Sequence, residues 1–286
     1  MLHAAHRTAR VGLRYDVEPY PSSWFIEDDD PVPASRPHYL KGDRLVALLL
    51  GWKARTRRDL QVGRELALRW DRRFPRVGVD PDVYVVEPPP PERDEVMSLR
   101  TWEPGHHPPL LAVEIVSPSR PDKDYSSSPL KYAASGTQEL WVFDPKLAGP
   151  KAQGGPFRLQ KWERDDQGQL TRVYTGEGPM FSEVLGAWVF AVDEGRSLAI
   201  ADDAAGTRWW MTPEETERAA KDEARADAQE ARTDAQEARA DAEAERAAKE
   251  EALQRIAALE ALLPTHATHA THATHATHAT LPTHKG

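Results

Sequence analysis

The 286-residue chain carries 37 lysines and arginines against 46 aspartates and glutamates, a formal net charge of −9, and no cysteine. The missing thiols exclude disulfide scaffolds, cysteine-ligated zinc, iron–sulfur clusters and thiol catalysis. The first residues hold no apolar signal core, and the run LVALLLGW (45–52) is far too short to span a bilayer. A soluble, cytoplasmic protein with no membrane partner is the expectation.

The charge is unevenly spread. Residues 212–263 hold 15 acids against 8 bases, whereas residues 1–211 hold 31 against 28. The acidity therefore belongs mainly to one appended segment. Residues 53–76 run the other way, with nine lysines and arginines against three acids. Such a stretch could touch phosphates, with Arg55, Arg57, Arg58 and Arg64 as the candidate nucleic-acid contacts, or could be a solvated loop and strand edge.

Composition divides the chain into an irregular N-terminal arm (1–24), a mixed, Trp-rich domain (25–205), an Ala/Glu/Arg-rich segment (212–263) and a Thr-His-Ala repeat (264–286). The arm's polar, proline-rich character continues to about residue 38. Residues 43–53 then read as a helix. Strands are expected at 60–70, 82–86, 110–117, 139–144, 157–163, 170–174, 188–192 and 197–200. The run EPPPPE (87–92) must be a loop, because proline lacks the N–H a strand ladder needs. Between the third and fourth strands a short helix is expected, with Ser128 as N-cap, Pro129 in its first turn and Gly136 closing it. Strand, helix and strand in about 35 residues make a βαβ-like unit. The fold class is α/β (α+β): a mixed sheet with flanking helices, followed by one long helix.

That long helix should open at Thr212-Pro213-Glu214-Glu215, as N-cap, first turn and acidic partners of the helix dipole. A seven-residue period puts Ala224, Ala228, Ala231, Ala235, Ala238 and Ala242 on one seam. The register returns at Ala252, Ile256, Leu259 and Leu263 after a break at Glu245 and Lys249. This is a coiled-coil pattern whose alanine knobs bury little, so it could support weak homo-oligomerisation or stand as a solvated single helix held by Glu–Arg pairs. In the repeat that follows, five histidines recur at steps of three and could gather a transition metal, or have no selected role. With almost nothing to bury, the repeat is expected to be disordered.

The richest stretch for chemistry is LLAVEIVS (110–117). Its apolar run suits a central strand buried on both faces, and Glu114 stands in its middle. A carboxylate there costs several kcal/mol, about that much by desolvation alone, unless it is paired, protonated or metal-bound. Upstream, Pro81-Asp82 opens the strand VYVV. Two strand acids converging across a sheet, with the carbonyl of Ile115, offer hard oxygen ligands for Mg²⁺ or Mn²⁺. Lys131 on the short helix can bring a cation to the same place. His106 and His107 make a poor metal pair, since adjacent side chains point in different directions.

This order of parts matches the PD-(D/E)xK nucleases. More closely, PDVYVV (81–86), LAVEIVSPSRPDKDY (111–125), KYAASGTQELWVFDP (131–145) and FSEVLG (181–186) resemble the Uma2 family of restriction endonucleases, over roughly residues 25–200. The resemblance implies a restriction-endonuclease-like fold and Mg²⁺-dependent cleavage of DNA phosphodiester bonds. Asp82 and Glu114 match the metal-binding acids, Lys131 stands in for the catalytic lysine, and Asp124 would orient that lysine or its helix. Two departures follow from the pattern: Val116 occupies the E-x-K position, and Ser128 the alternative lysine position on the helix. A catalytically inactive nuclease-fold module, binding nucleic acid or aiding assembly, is therefore the competing expectation, and a hydrolase of small phosphate esters a third.

Overall fold

The computed structural model describes residues 11–15, 20–25 and 36–261. The chain divides into two units, residues 1–219 and 220–286. In the first, thirteen described strands form three sheets. In chain order they are β1 (Val11–Leu13), β2 (Gln61–Gly63), β3 (Ala67–Arg69), β4 (Gly78–Val79), β5 (Val83–Val86), β6 (Ser98–Arg100) and β7 (Leu111–Ile115). Then come β8 (Glu139–Phe143), β9 (Leu159–Arg164), β10 (Leu170–Gly176), β11 (Met180–Ser182), β12 (Ala187–Val192) and β13 (Ser197–Ala201). Helices α1 (Arg36–Thr56) and α2 (Ser128–Ser135) complete the unit, and α3 (Pro213–Ala261) begins at its end.

The main sheet has the order β1-β10-β9-β8-β7-β5-β2. It is mixed because β7 and β8 run parallel while their neighbours are antiparallel. A parallel pair needs a crossover, and α2 with its approach supplies it. Side-chain alternation splits the sheet into two faces. Val83, Val85, Leu111, Val113, Ile115, Trp141 and Phe143 pack with Leu45, Leu48, Leu49 and Trp52 of α1, and with Met180, Val189 and Ile200 of the β11-β12-β13 sheet. Tyr84, Val86, Ala112, Leu140 and Val142 pack on the other side with Tyr132 and Ala133 of α2, and with Leu68, Val79 and Leu99 of the small β4-β3-β6 sheet. Leu45, Leu48, Leu49 and Trp52 sit at the spacing of one helical face, which is why α1 docks there.

Several expectations need correction. The single strand over 60–70 is two strands in different sheets, broken where Glu65 takes a left-handed φ of 51°. The first helix is longer than 43–53, beginning at Arg36 and ending at Thr56. The N-terminal arm is not wholly irregular, since β1 pairs with β10 at the sheet edge. Ser128 is not an N-cap: a π-helical turn, Lys123–Ser127, runs directly into α2, and the Ser128 hydroxyl bonds Asp124 instead. Gly136 does close α2, at φ 89°, where a Cβ would stand 3.0 Å from Pro108. Proline cannot yield much, so both the conformation and the space favour glycine.

At the start of α3, Glu215 N–H donates to Thr212 Oγ1 at 3.2 Å, and Thr212 N–H donates to Glu215 Oε2 at 2.9 Å. This reciprocal capping box satisfies two orphan donors and fixes where the helix starts. Its 49 residues contain no buried side chain and extend about 70 Å at the usual rise. Leu263 and the Thr-His-Ala repeat lie outside the described residues. No described helix is long and apolar enough to cross a membrane.

Candidate active site

Register builds the site. β5 and β7 pair antiparallel with Val83 opposite Val113, so the next step sets Asp82 opposite Glu114. Directly opposed residues have Cβ atoms about 5 Å apart and share a face. That face is the α2 side, because Tyr84 and Ala112 share its alternation and pack there. Asp82 is held by the backbone of its neighbour: Ile115 N–H donates to Asp82 Oδ2 at 2.6 Å. Glu114 is only 1% exposed. Its Oε1 accepts the Tyr132 hydroxyl at 2.7 Å, and its Oε2 lies 3.6 Å from the Lys123 ammonium. Lys123 also stands 3.7 Å from Asp124 Oδ1, which accepts the Ser128 hydroxyl at 3.3 Å.

Asp82, Glu114 and Asp124 thus converge, and Lys131 lies within electrostatic reach of Glu114. The lysine in direct contact with Glu114 is Lys123, which the sequence reading did not select. Asp80 also belongs to the group, within the fields of Arg69, Lys123 and Lys131. The available signal for Lys123 was the segment SRPDKDY. Proline and aspartate there start a turn, and Tyr125 anchors it by donating to Asp144 Oδ2 at 3.0 Å and accepting from Phe157 N–H at 2.9 Å. The wide π-turn then returns Lys123 over the end of β7.

Burial raises the Glu114 carboxyl above its ordinary range, and Asp82 adds to this, while Lys123, the Tyr132 hydroxyl and Lys131 oppose it. Asp124 is pushed up more strongly, by burial first and then by Glu114. Asp80 keeps solvent contact, yet desolvation still raises its carboxyl. The two lysines move in opposite directions. Glu114 above all holds Lys123 protonated beyond its usual range. Burial, with repulsion from Lys123, lowers Lys131 to about 8.

The donor set is carboxylate oxygen throughout, which suits a hard cation such as Mg²⁺ or Mn²⁺. Carboxyls raised by burial and by one another form a site that a divalent cation would relieve. A second group, Glu92, Glu103 and His106, has ligand atoms within 4.8 Å of one another but does not fit a metal. His106 Nδ1 accepts the Arg100 N–H at 3.0 Å, so Nε2 carries the ring proton and donates to Glu92 Oε2 at 3.0 Å. A metal on Nε2 would leave that ring an imidazolate, and the group is instead a tie between loops.

The four arginines expected at nucleic acid sit apart from this cluster of acids. Arg55 stacks over Trp210 at 4.5 Å, Arg58 pairs with Glu87 and covers Trp52, and Arg64 pairs with Asp43. Arg57 closes the end of α1 at φ 55°. They gather around α1, whose core contacts lie on the sheet face opposite Glu114, so they do not adjoin the carboxylates.

A mixed sheet that carries opposed strand acids beneath a crossover helix defines a restriction-endonuclease-like α/β protein. The family model of Uma2, described as "Putative restriction endonuclease", matches residues 30–192, more than half of the chain, and the chain belongs to that family. The crystal structure of a putative nuclease belonging to DUF820 from Anabaena variabilis ATCC 29413 aligns at 20% identity with a TM-score of 0.31. The alignment covers 40% of this chain and 60% of that one, so the chain spans less than two thirds of that protein. No curated protein matches.

Proposed function

We propose that the protein is a metal-dependent endonuclease that hydrolyses DNA phosphodiester bonds. The observation that carries this reading is the register-matched pair Asp82 and Glu114, facing α2 with Lys123 against Glu114. In this reading Asp82 and Glu114 hold Mg²⁺ or Mn²⁺. When bound there, such a cation would supply charge neutralisation for the phosphoryl group and lower the pKa of water.

The chain's own residues divide the remaining work. Lys123, held protonated, is the fixed positive charge that steadies the negative charge building up at phosphorus. Lys131, with a pKa near 8, exchanges a proton close to neutrality and suits transfer to or from the reacting water. Tyr132 fixes one Glu114 oxygen by hydrogen bond, which leaves the other oriented toward Lys123. Asp124 carries no assigned contact with substrate; it positions Lys123 and the first turn of α2. The lysine role at Val116 and Ser128 is thereby filled from a third position in the chain.

The test uses plasmid and single-stranded DNA with Mg²⁺, Mn²⁺ or EDTA, beside Asp82→Ala/Glu114→Ala. Metal-dependent cleavage that the double variant loses is expected. Equal cleavage by both proteins, or none with any metal, would overturn the reading.

Weak self-association through α3 belongs to the same proposal, because Ile256 and Leu259 are exposed on the seam at 52% and 65%. Sedimentation at rising concentration should show reversible dimers that Ile256→Ala/Leu259→Ala abolishes. An unchanged monomer across the range would remove this part.

A further inference from the structure

The segment RWDRRFPR (69–76) joins β3 to β4 and holds four arginines against one acid. That acid is spent internally. Asp71 accepts from Arg73 N–H at 2.9 Å and from the Tyr20 hydroxyl at 3.1 Å, and pairs with the Arg73 guanidinium at 2.8 Å. The turn is also braced from beneath. Phe74 and Trp70 meet the Tyr20 ring edge-on at 5.5 and 6.4 Å, and Phe74 N–H donates to Asp71 O at 3.1 Å. The rings of Tyr20, Trp70 and Phe74 pack together in this support, the Arg76 guanidinium lies 6.0 Å over the Phe25 ring, and Arg72 and Arg76 are both exposed on this arm.

The strands behind the arm extend its charge. Leu68, Val79 and Leu99 point into the core, so alternation turns Arg69, Gly78 and Arg100 to the opposite side of the small sheet. Parallel pairing sets Arg69 beside Arg100, whose guanidinium pairs with Glu103 at 3.2 Å and remains half exposed at the sheet edge. Arg69 lies flat over Gly78: a Cβ there would stand 2.7 Å from its Nη1, and that Nη1 donates to Arg76 O at 3.2 Å. The guanidinium therefore runs along the arm toward Arg76. Its field reaches Asp80 and Lys131 in the candidate site. β4 leads directly into Asp80 and Asp82, and the four steps from Gly78 to Asp82 span at most about 14 Å.

We propose that this arm, with Arg69, Arg72, Arg76 and Arg100, is the surface that grips the sugar-phosphate backbone of nucleic acid and feeds it to Asp82 and Glu114. The inference rests on the nuclease reading of that site. A body with 31 acids and 28 bases offers little general attraction to a polyanion, so a local arginine row beside the carboxylates decides where one lands. Contacts to phosphate fix register and orientation and carry no base preference.

The experiment measures fluorescence anisotropy of labelled duplex and single-stranded oligonucleotides with the full chain, in EDTA, over a range of KCl concentrations. Arg72→Glu/Arg76→Glu should weaken binding at least tenfold at low salt. It should also flatten the slope of log K against log salt by about two, one per lost phosphate contact. Arg55→Glu/Arg57→Glu should stay within twofold of wild type, with all melting temperatures alike. Loss in the duplex arm alone identifies double-stranded substrate, and loss in the single-strand arm alone identifies single strands. Equal losses in both variants, or no binding by wild type at the lowest salt, would overturn the proposal. A parallel cleavage assay separates the two ideas. Binding lost in Arg72→Glu/Arg76→Glu while Asp82→Ala/Glu114→Ala still cuts DNA would defeat the nuclease site and leave the surface standing.

Discussion

Glu114 and Glu139 stand on adjacent parallel strands, each only 1% exposed, yet their surroundings differ in kind. Glu139 faces the α1 side and is saturated with donors. Its Oε1 accepts Trp141 Nε1 and the Ser182 hydroxyl at 2.6 Å, and its Oε2 accepts the N–H groups of Glu183 and Val184 at 3.1 and 3.3 Å. It ties the β11–β12 turn to the main sheet. Glu114 faces α2 with one hydroxyl donor and one lysine at 3.6 Å, and is crowded by Asp82 and Asp124. Burial raises both carboxyls, but Glu139 accepts four hydrogen bonds that oppose the shift, whereas Glu114 accepts one. A saturated buried carboxylate is an anchor. An undersaturated one among other acids is a place where a cation and a substrate can still gain.

The comparison breaks most readily at Glu114. Glu114→Gln or Asp82→Asn should lower metal-dependent cleavage by about 10³-fold or more, in a plasmid assay, while keeping the fold. Next, Lys123→Ala should cost about 10²–10³-fold in kcat with little change in DNA affinity, and Lys131→Ala less than Lys123→Ala. Equal losses would erase the distinction between a fixed charge and a proton-exchanging lysine. Glu139→Gln is the converse. Its new amide N–H must face donors already aimed at that carboxyl, so urea unfolding should show a loss of about 2–3 kcal/mol with specific activity retained.

The smallest effect is the pH dependence of stability. Because burial raises the Glu114 carboxyl, folding favours its protonated form. That contribution is complete below the ordinary carboxylate range and is lost as pH rises through the raised value. Glu114→Gln removes the titration. In EDTA, its melting temperature relative to wild type should therefore rise from pH 5 to pH 8. A melting temperature that falls relative to wild type over that range would contradict the assigned crowding.

Much of this contrast was visible in the residues. LLAVEIVS announces a strand buried on both faces with an acid inside it, and Pro81-Asp82 before VYVV suggests a partner acid. The motif FSEVLG gives no hint of purpose until Ser182, Glu183 and Val184 are seen around Glu139. Lys123 escaped because spacing rules look two residues along a strand or one helical turn away. A π-turn nine residues after Glu114 returns the lysine by tertiary geometry instead. β4 and β6 escaped because two or three residues show no period, and the break at Glu65 because its left-handed φ has no glycine to mark it.

The most direct measurement is cleavage of supercoiled plasmid by wild type, Glu114→Gln and Glu139→Gln, with Mg²⁺ and with EDTA. Cutting by wild type and Glu139→Gln in Mg²⁺ only, with none by Glu114→Gln, is the predicted result. Cutting by Glu114→Gln at the wild-type rate, or cutting that EDTA leaves untouched, would contradict the assignment of this carboxylate pair.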